Sequence, residues 1–472
     1  MPARDNTTEV SVLSPPCLTP LISFAGMVFL VLCWSIPAYG TGFRILQQGA
    51  AATGQSGAFI AQADDPSAIY YNPAGMTQLK GTQVYLGMNL LGGSTSFAGP
   101  SGTARGDFGS SVAWPPPSQI YLTANMKRLG LENLTAGIAI LSPFGTLYRW
   151  PENGPFATAV TRAWLEIVDV KPTLAYKLTK DLSIGLGADI YTFFSFVGNG
   201  QYEQQAISTG ALTPRGQRLE VNGKDTTAGF NVSFLWTAIR SPVNDKPLVN
   251  VGFQYRSQAT MHLQGEFLSN GALQADAATT LVLPQIITGG IALWPVRDND
   301  REWKLELDVD YTGWKSIRNL DVHLSSGVTV ATPQDWRSMY TAMVGTEYKW
   351  LKLERLPDWE IALRGGYWNS PTPVPDRNFN PALPDADNHS ITVGLGLLCK
   401  GKGLFAGLVK CGQTEDNKFG FKAIGLDLAY QLWLFEQRTV AGNKHPLADP
   451  DVVNGKYHST YHLGTFSIRM NF

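Results

Sequence analysis

Lys304-Leu305-Glu306-Leu307-Asp308-Val309-Asp310-Tyr311-Thr312 alternates without a break. An extended chain points successive side chains to opposite faces. Leu305, Leu307, Val309 and Tyr311 therefore share one face, and Lys304, Glu306, Asp308, Asp310 and Thr312 share the other. Such a strand needs two environments at once. Its length is close to the roughly nine residues that cross a bilayer when tilted.

The period recurs on both sides of this stretch. Leu182, Ile184, Leu186 and Ile190 oppose Ser183, Gly185, Gly187 and Asp189. Ile391, Val393, Leu395 and Leu397 oppose Ser390, Thr392, Gly394 and Gly396. Ile424, Leu426, Leu428, Tyr430 and Leu432 oppose Asp427 and Gln431. No helical pattern intervenes to cover a face. From Lys80 onward about fourteen such stretches can be placed, an even number as in bacterial barrels. Short and long connections alternate, as periplasmic turns and outer loops do. Lys400–Lys418 breaks the rhythm, being long where a short turn is expected. The expected fold is all-β: a 14-stranded antiparallel transmembrane β-barrel over residues 80–472 in the cell outer membrane. The inward acids Asp189, Glu306, Asp308, Asp310 and Asp427 are expected to pair with bases such as Lys304, Arg364 and Arg469 in a filled lumen, not to perform acid–base chemistry. In the last strand Phe466, Ile468, Met470 and Phe472 oppose Thr465, Ser467, Arg469 and Asn471. A terminal Phe472 on such a strand resembles the signal read by the outer-membrane assembly machinery.

Bulk composition agrees. Of 472 residues only 16% are charged, against roughly 25% in soluble domains. A net charge of −1 excludes the basic stripe of a nucleic-acid binder. The hydrophobic fraction, 44%, is too ordinary for a helical membrane bundle. Forty-eight Gly, 17 Tyr and 13 Trp suit strands, tight turns and interfacial aromatics.

The long apolar run Leu21–Ile36 is short of the roughly 20 residues of a spanning helix. Ala38-Tyr39-Gly40 follows, with small residues at −3 and −1 of a cut before Thr41. Residues 1–40 read as an export signal peptide, with a signal anchor as the alternative. Cys17 and Cys33 leave with it. Cys399 and Cys411 remain, an even count in an oxidising compartment. They are expected to close a small loop by a disulfide; two free thiols are the alternative. No metal site is indicated, because no second Cys pair or nearby His accompanies them. His458 and His462 would stand roughly 13 Å apart on a strand, too far for one ion.

Residues 41–79 do not alternate. They run from Thr41-Gly42-Phe43 through small residues to Asp64-Asp65-Pro66, where Asp65 can cap a helix begun by Pro66. Asn72-Pro73-Ala74 repeats that start. A segment of this size is too small for its own core. Its expected place is the lumen, which at this strand number needs filling; a disordered periplasmic leader is the alternative.

Thr41-Gly42-Phe43, the small-residue stretch, Asn72-Pro73-Ala74 and the strand count together resemble the FadL family of outer-membrane long-chain fatty-acid and hydrocarbon transporters. Downstream, Leu283-Pro284, Tyr311-Thr312-Gly313-Trp314, Gly366-Tyr367-Trp368 with Ser370-Pro371, Val374-Pro375-Asp376 and Pro384-Asp385 are similar to the family's motifs in order and spacing. The resemblance implies that 41–79 is an N-terminal hatch plugging the lumen, that Phe43 touches the ligand, and that Asn72, Pro73 and Ala74 anchor the hatch. Val197–Lys224 and Met261–Thr280 match its capture loops in order. Here they are fairly polar, with Ala206, Phe267, Leu268 and Leu273 as the apolar points.

Ser142-Pro143-Phe144-Gly145 closes the apolar run Leu134–Leu141. Pro lacks a ladder donor and Gly thins the wall, so the strand should bend and open a hole between neighbours. In the family such a kink is a lateral gate to the outer leaflet; an ordinary loop start is the bland alternative. The function implied is passive uptake of long-chain fatty acids or related hydrophobic compounds, without cofactor or catalysis. The partners expected are a hydrophobic ligand, outer-membrane lipid and lipopolysaccharide, for a monomer. A hydrocarbon- or aromatic-specific channel, a general porin and an outer-membrane lipid hydrolase are the alternatives. No nucleophile elbow supports the last: Gly54-Gln55-Ser56-Gly57 lacks the second Gly at the required offset.

Overall fold

The computed structural model describes residues 41–195, 199–412, 420–444 and 450–472. The expected export signal lies outside the described residues. The alternating stretches form fourteen long strands. They are β1 (Thr82–Gly99), β2 (Ser118–Asn125), β3 (Leu134–Arg149), β4 (Arg162–Lys177), β5 (Leu182–Thr192), β6 (Thr227–Arg240) and β7 (Pro247–Arg256), followed by β8 (Ile286–Arg297), β9 (Arg301–Thr312), β10 (Met339–Trp350), β11 (Trp359–Ser370), β12 (Asn388–Lys400), β13 (Ala423–Phe435) and β14 (Gly455–Asn471). Each pairs antiparallel with the next. β1 and β14 close the ring, in register from Gln83↔Asn471 to Ala98↔Lys456. Closure leaves no edge, which hydrocarbon demands because it offers no partner to a free N–H or C=O.

In β9 the charged face turns inward. Lys304, Glu306, Asp308, Asp310 and Thr312 are all buried, whereas Val309 is 45% exposed. The same inversion runs around the ring. Leu86, Ile120, Ile138, Leu186, Ile391 and Leu428 face outward and are exposed, as an apolar belt in contact with lipid must be.

Two of the long connections are β-ribbons. Ala259–Ser269 pairs with Ala272–Leu283 as a ribbon beyond the wall, and Tyr202–Ile207 pairs with Arg218–Gly223. The two ribbons join through Phe267↔Val221. Their mixed composition is therefore split between two faces, one of which is apolar. At the opposite end, Cys411 in the Lys400–Lys418 connection forms a disulfide with Cys399 at the end of β12, the Cα atoms 5.6 Å apart. They pack with Ile424 beneath a small hairpin, Leu404–Phe405 with Val409–Lys410.

Residues 41–79 lie inside the ring, nearly all buried. They form two single-turn helices, α1 (Ala50–Thr53) and α2 (Ala68–Tyr71), and a 3-10 turn, Pro73–Gln78. The second helix starts at Ala68, later than Asp65-Pro66 suggests. Asp65 Oδ1 accepts from Ser67 N–H (2.8 Å) and the Ser67 hydroxyl (2.5 Å), holding the chain in a tight turn first. Wall and segment meet backbone to backbone. A Cβ on Gly366 would stand 2.7 Å from Gln55 O and from Ser56 N, and one on Gly185 would stand 2.6 Å from Pro73 Cβ. Small residues on both surfaces are the condition for this contact.

Candidate functional site

The inward face of β9 holds the N-terminal segment residue by residue. Lys304 Nζ donates to Gln62 Oε1 (2.5 Å). Glu306 Oε1 accepts from Ala61 N–H (2.7 Å), and Asp308 Oδ2 accepts from Phe59 and Ile60 N–H (2.8 and 3.0 Å). Arg44 reaches Asp310 Oδ1 (2.7 Å) and the Thr312 hydroxyl (3.0 Å). Glu306 and Asp308 thus accept from backbone N–H of the segment and Asp310 from its Arg44, while Glu306 also keeps the expected wall partner, Lys304, through Oε2 (2.5 Å). Asp427 takes Arg364 (2.7 Å), as expected, and Asp189 takes Lys171. A carboxylate accepting from backbone N–H makes a stronger bond than a neutral acceptor.

Asn72, Pro73 and Ala74 sit against β5 and β6. The Asn72 amide donates to Ile60 O (2.7 Å) and Phe234 O (3.0 Å), and its Oδ1 accepts from Ala74 N–H (3.2 Å). Ala74 N–H also reaches the Ser233 hydroxyl (3.0 Å). One side chain thus caps the 3-10 turn and ties it to the wall.

Ser142, Pro143, Phe144 and Gly145 lie within β3, which continues to Arg149. Pairing with β4 shifts register between Leu141 and Phe144, leaving one extra residue on β3. Pairing with β2 ends at Ile120↔Ile140. Beyond that point the edge of β3 is taken up by the N-terminus. Ile45 N–H donates to Pro143 O (2.8 Å), Gly145 N–H donates to Phe43 O (2.8 Å), and Gln48 Nε2 donates to Ser142 O (3.0 Å). The N-terminal tip is a short added strand on the kinked edge.

Phe43 is packed by Trp314 (ring centroids 4.8 Å apart), Trp336 (5.7 Å) and Phe144 (5.9 Å). The tip divides two cavities. The outer one, about 220 Å³, reaches Phe43 at its base and is walled by the two ribbons through Ala206, Val221, Leu263 and Phe267. The inner one, about 110 Å³, is lined by Thr41, Gly42, Arg44, Ile45 and Gly145. Thr146, Leu165 and Leu383 border both. The tip is also held by the loop before β12. Asp385 Oδ2 accepts from Gly42 N–H (3.2 Å) and the Thr372 hydroxyl (2.7 Å). Burial pushes this carboxyl up to about 6, against those hydrogen bonds and nearby Arg438.

Sequence reasoning found the kink and Phe43 separately and missed their pairing. Arg44, Ile45 and Gln48 carried no motif signal, and two hydrogen bonds between backbones leave none. Trp314 and Asp385 were quoted for the resemblance without a role; the first packs on Phe43 and the second holds Gly42.

A closed barrel with a charged, occupied interior and an apolar belt is an outer-membrane β-barrel. The chain belongs to the family described as outer membrane protein transport protein (OMPP1/FadL/TodX), whose sequence profile matches residues 31–402. It is 22% identical over 419 residues to a long-chain fatty acid transport protein of Escherichia coli O6:H1, covering 79% of this chain and 87% of that one. The crystal structure of a Pseudomonas aeruginosa FadL homologue superposes with a TM-score of 0.68 at 18% identity, over 92% of this chain and 100% of the other. That of the P. putida toluene transporter TodX gives 0.58 at 15% identity, over 92% and 99%. The protein is an outer-membrane transport protein and not an enzyme.

Proposed function

We propose that this protein takes up hydrophobic small molecules, long-chain fatty acids or related hydrocarbons, by capturing them in the outer cavity and releasing them sideways at the β3 kink. Phe43 is a ligand contact, Asn72-Pro73-Ala74 anchors the hatch, and Ser142-Pro143-Phe144-Gly145 forms the lateral gate. The reading is carried by one observation: the N-terminal tip fills the interrupted edge of β3 and stands between two apolar cavities. A ligand that displaces Phe43 also removes the strand that closes the kink. Each CH₂ buried contributes about 0.8 kcal/mol, so an alkyl chain gains enough to compete with the tip. The opening then leads to the outer leaflet, past the lipopolysaccharide headgroups that bar direct entry.

Gly145→Arg tests the exit. A side chain there projects between Leu165 O (3.0 Å from the Cβ) and Ile45 Cδ1 (3.3 Å). Uptake of a labelled fatty acid or alkane by cells should fall at least about tenfold, while the purified barrel keeps its strand content. Normal uptake would reject the side exit.

A further inference from the structure

The lining of both cavities bears on what the cargo carries as a head. Among the described residues that line the outer cavity, none is charged. Its polar groups are hydroxyls and amides, and the Thr279 and Thr332 hydroxyls have no hydrogen-bond partner within the protein. A hydroxyl can serve a neutral oxygen well. It can also donate to a carboxylate, but it does not neutralise the charge, and burial of a carboxylate without a cation is costly. The inner cavity is worse for an anion. Among the described residues that line it, the one cation, Arg44, is committed to Asp310 at 2.7 Å. Two acids, Glu166 and Asp385, line the same space. Glu166 is 8% exposed, and its Oε1 has no hydrogen-bond partner. It stands on β4 behind Gly145, where cargo leaving by the kink must pass. A carboxylate arriving there meets a second carboxyl, and the pair must either repel or take up a proton.

We propose that the passage selects uncharged hydrophobic molecules over carboxylate anions, with Glu166 as a specificity-determining residue of the inner cavity. This rests on the transport reading and narrows its cargo. Hydrocarbons, long-chain alcohols, ketones and esters fit. An ionised fatty acid is held with its head in outer water and is disfavoured beyond the tip.

The test uses the full mature barrel in lipid nanodiscs at pH 9, with hexadecanoate and methyl hexadecanoate as paired probes. Wild type should bind the ester at least about tenfold more tightly than the anion. Thr279→Lys, which adds a cation to the outer cavity, should narrow that ratio at least about threefold. In proteoliposomes, Glu166→Gln should raise anion transfer relative to ester transfer by a similar factor. Equal affinities, or tighter anion binding, would overturn the selectivity while leaving uptake of apolar molecules standing. Failure of both probes to bind would overturn the transport reading with it. A preference unaltered by Glu166→Gln would remove Glu166 from the account.

Discussion

At the residue scale the tip is held by few groups. Phe43 supplies aromatic contact with Trp314, Trp336 and Phe144. Asp385 supplies the acceptor for Gly42 N–H. Its carboxyl stays protonated up to about pH 6 when buried beneath the docked tip, and returns toward roughly 4 when hydrated. The docked state therefore binds the extra proton. Its stability is greatest at low pH, falls as pH climbs between those two values, and levels off above the higher one. Hydrogen exchange of residues 41–48, corrected for intrinsic rates, should accordingly show weaker protection at pH 7.5 than at pH 4.5. Asp385→Asn should flatten the difference. A pH profile identical in both proteins would show that docking does not sense this group.

At the element scale β3 and β9 divide the work. β3 departs from its neighbour after Ile140 because Pro143 offers no N–H and the bulge adds a residue. β9 keeps perfect alternation, so all its inward charges stand in one row. Asp308→Ala would strand the Phe59 and Ile60 N–H groups, at about 1–3 kcal/mol for each buried donor left unpaired. Exchange across residues 55–62 should accelerate at least about tenfold while wall strands keep their protection. Unaltered exchange would mean that the row is a passive lining. The alternation of β9 was legible in the sequence, as was its inward side. Its partners were not, because a carboxylate on a strand looks the same whether it meets Arg364 or the amide of Ile60. The ribbons at 202–223 and 259–283 were misread as polar loops for a related reason. Averaged composition hides a two-faced strand whose faces meet different surroundings.

At the scale of the whole molecule the ring closes through its own strands. Fourteen strands close through β1 and β14, and residues 41–79 add backbone pairing at the interrupted edge of β3. Deleting 41–79 should leave a barrel that inserts into bilayers, retains its strand content and passes ions freely, where the intact protein passes few. Equal conductance of the two forms in planar bilayers would show that the segment does not close the lumen.

The sequence by itself determined the ring, the inward and outward faces, the alternation of short and long connections and the weak point in β3. Each of these is set by the period of side chains along one strand or by the missing donor of one proline. Only the tertiary structure decided that Phe43–Ile45 completes the edge of β3, that β9 grips the segment, and that among the described residues lining the cavities the one cation, Arg44, is paired with Asp310. These depend on backbone groups and on residues hundreds of positions apart, and neither leaves a local pattern in the chain.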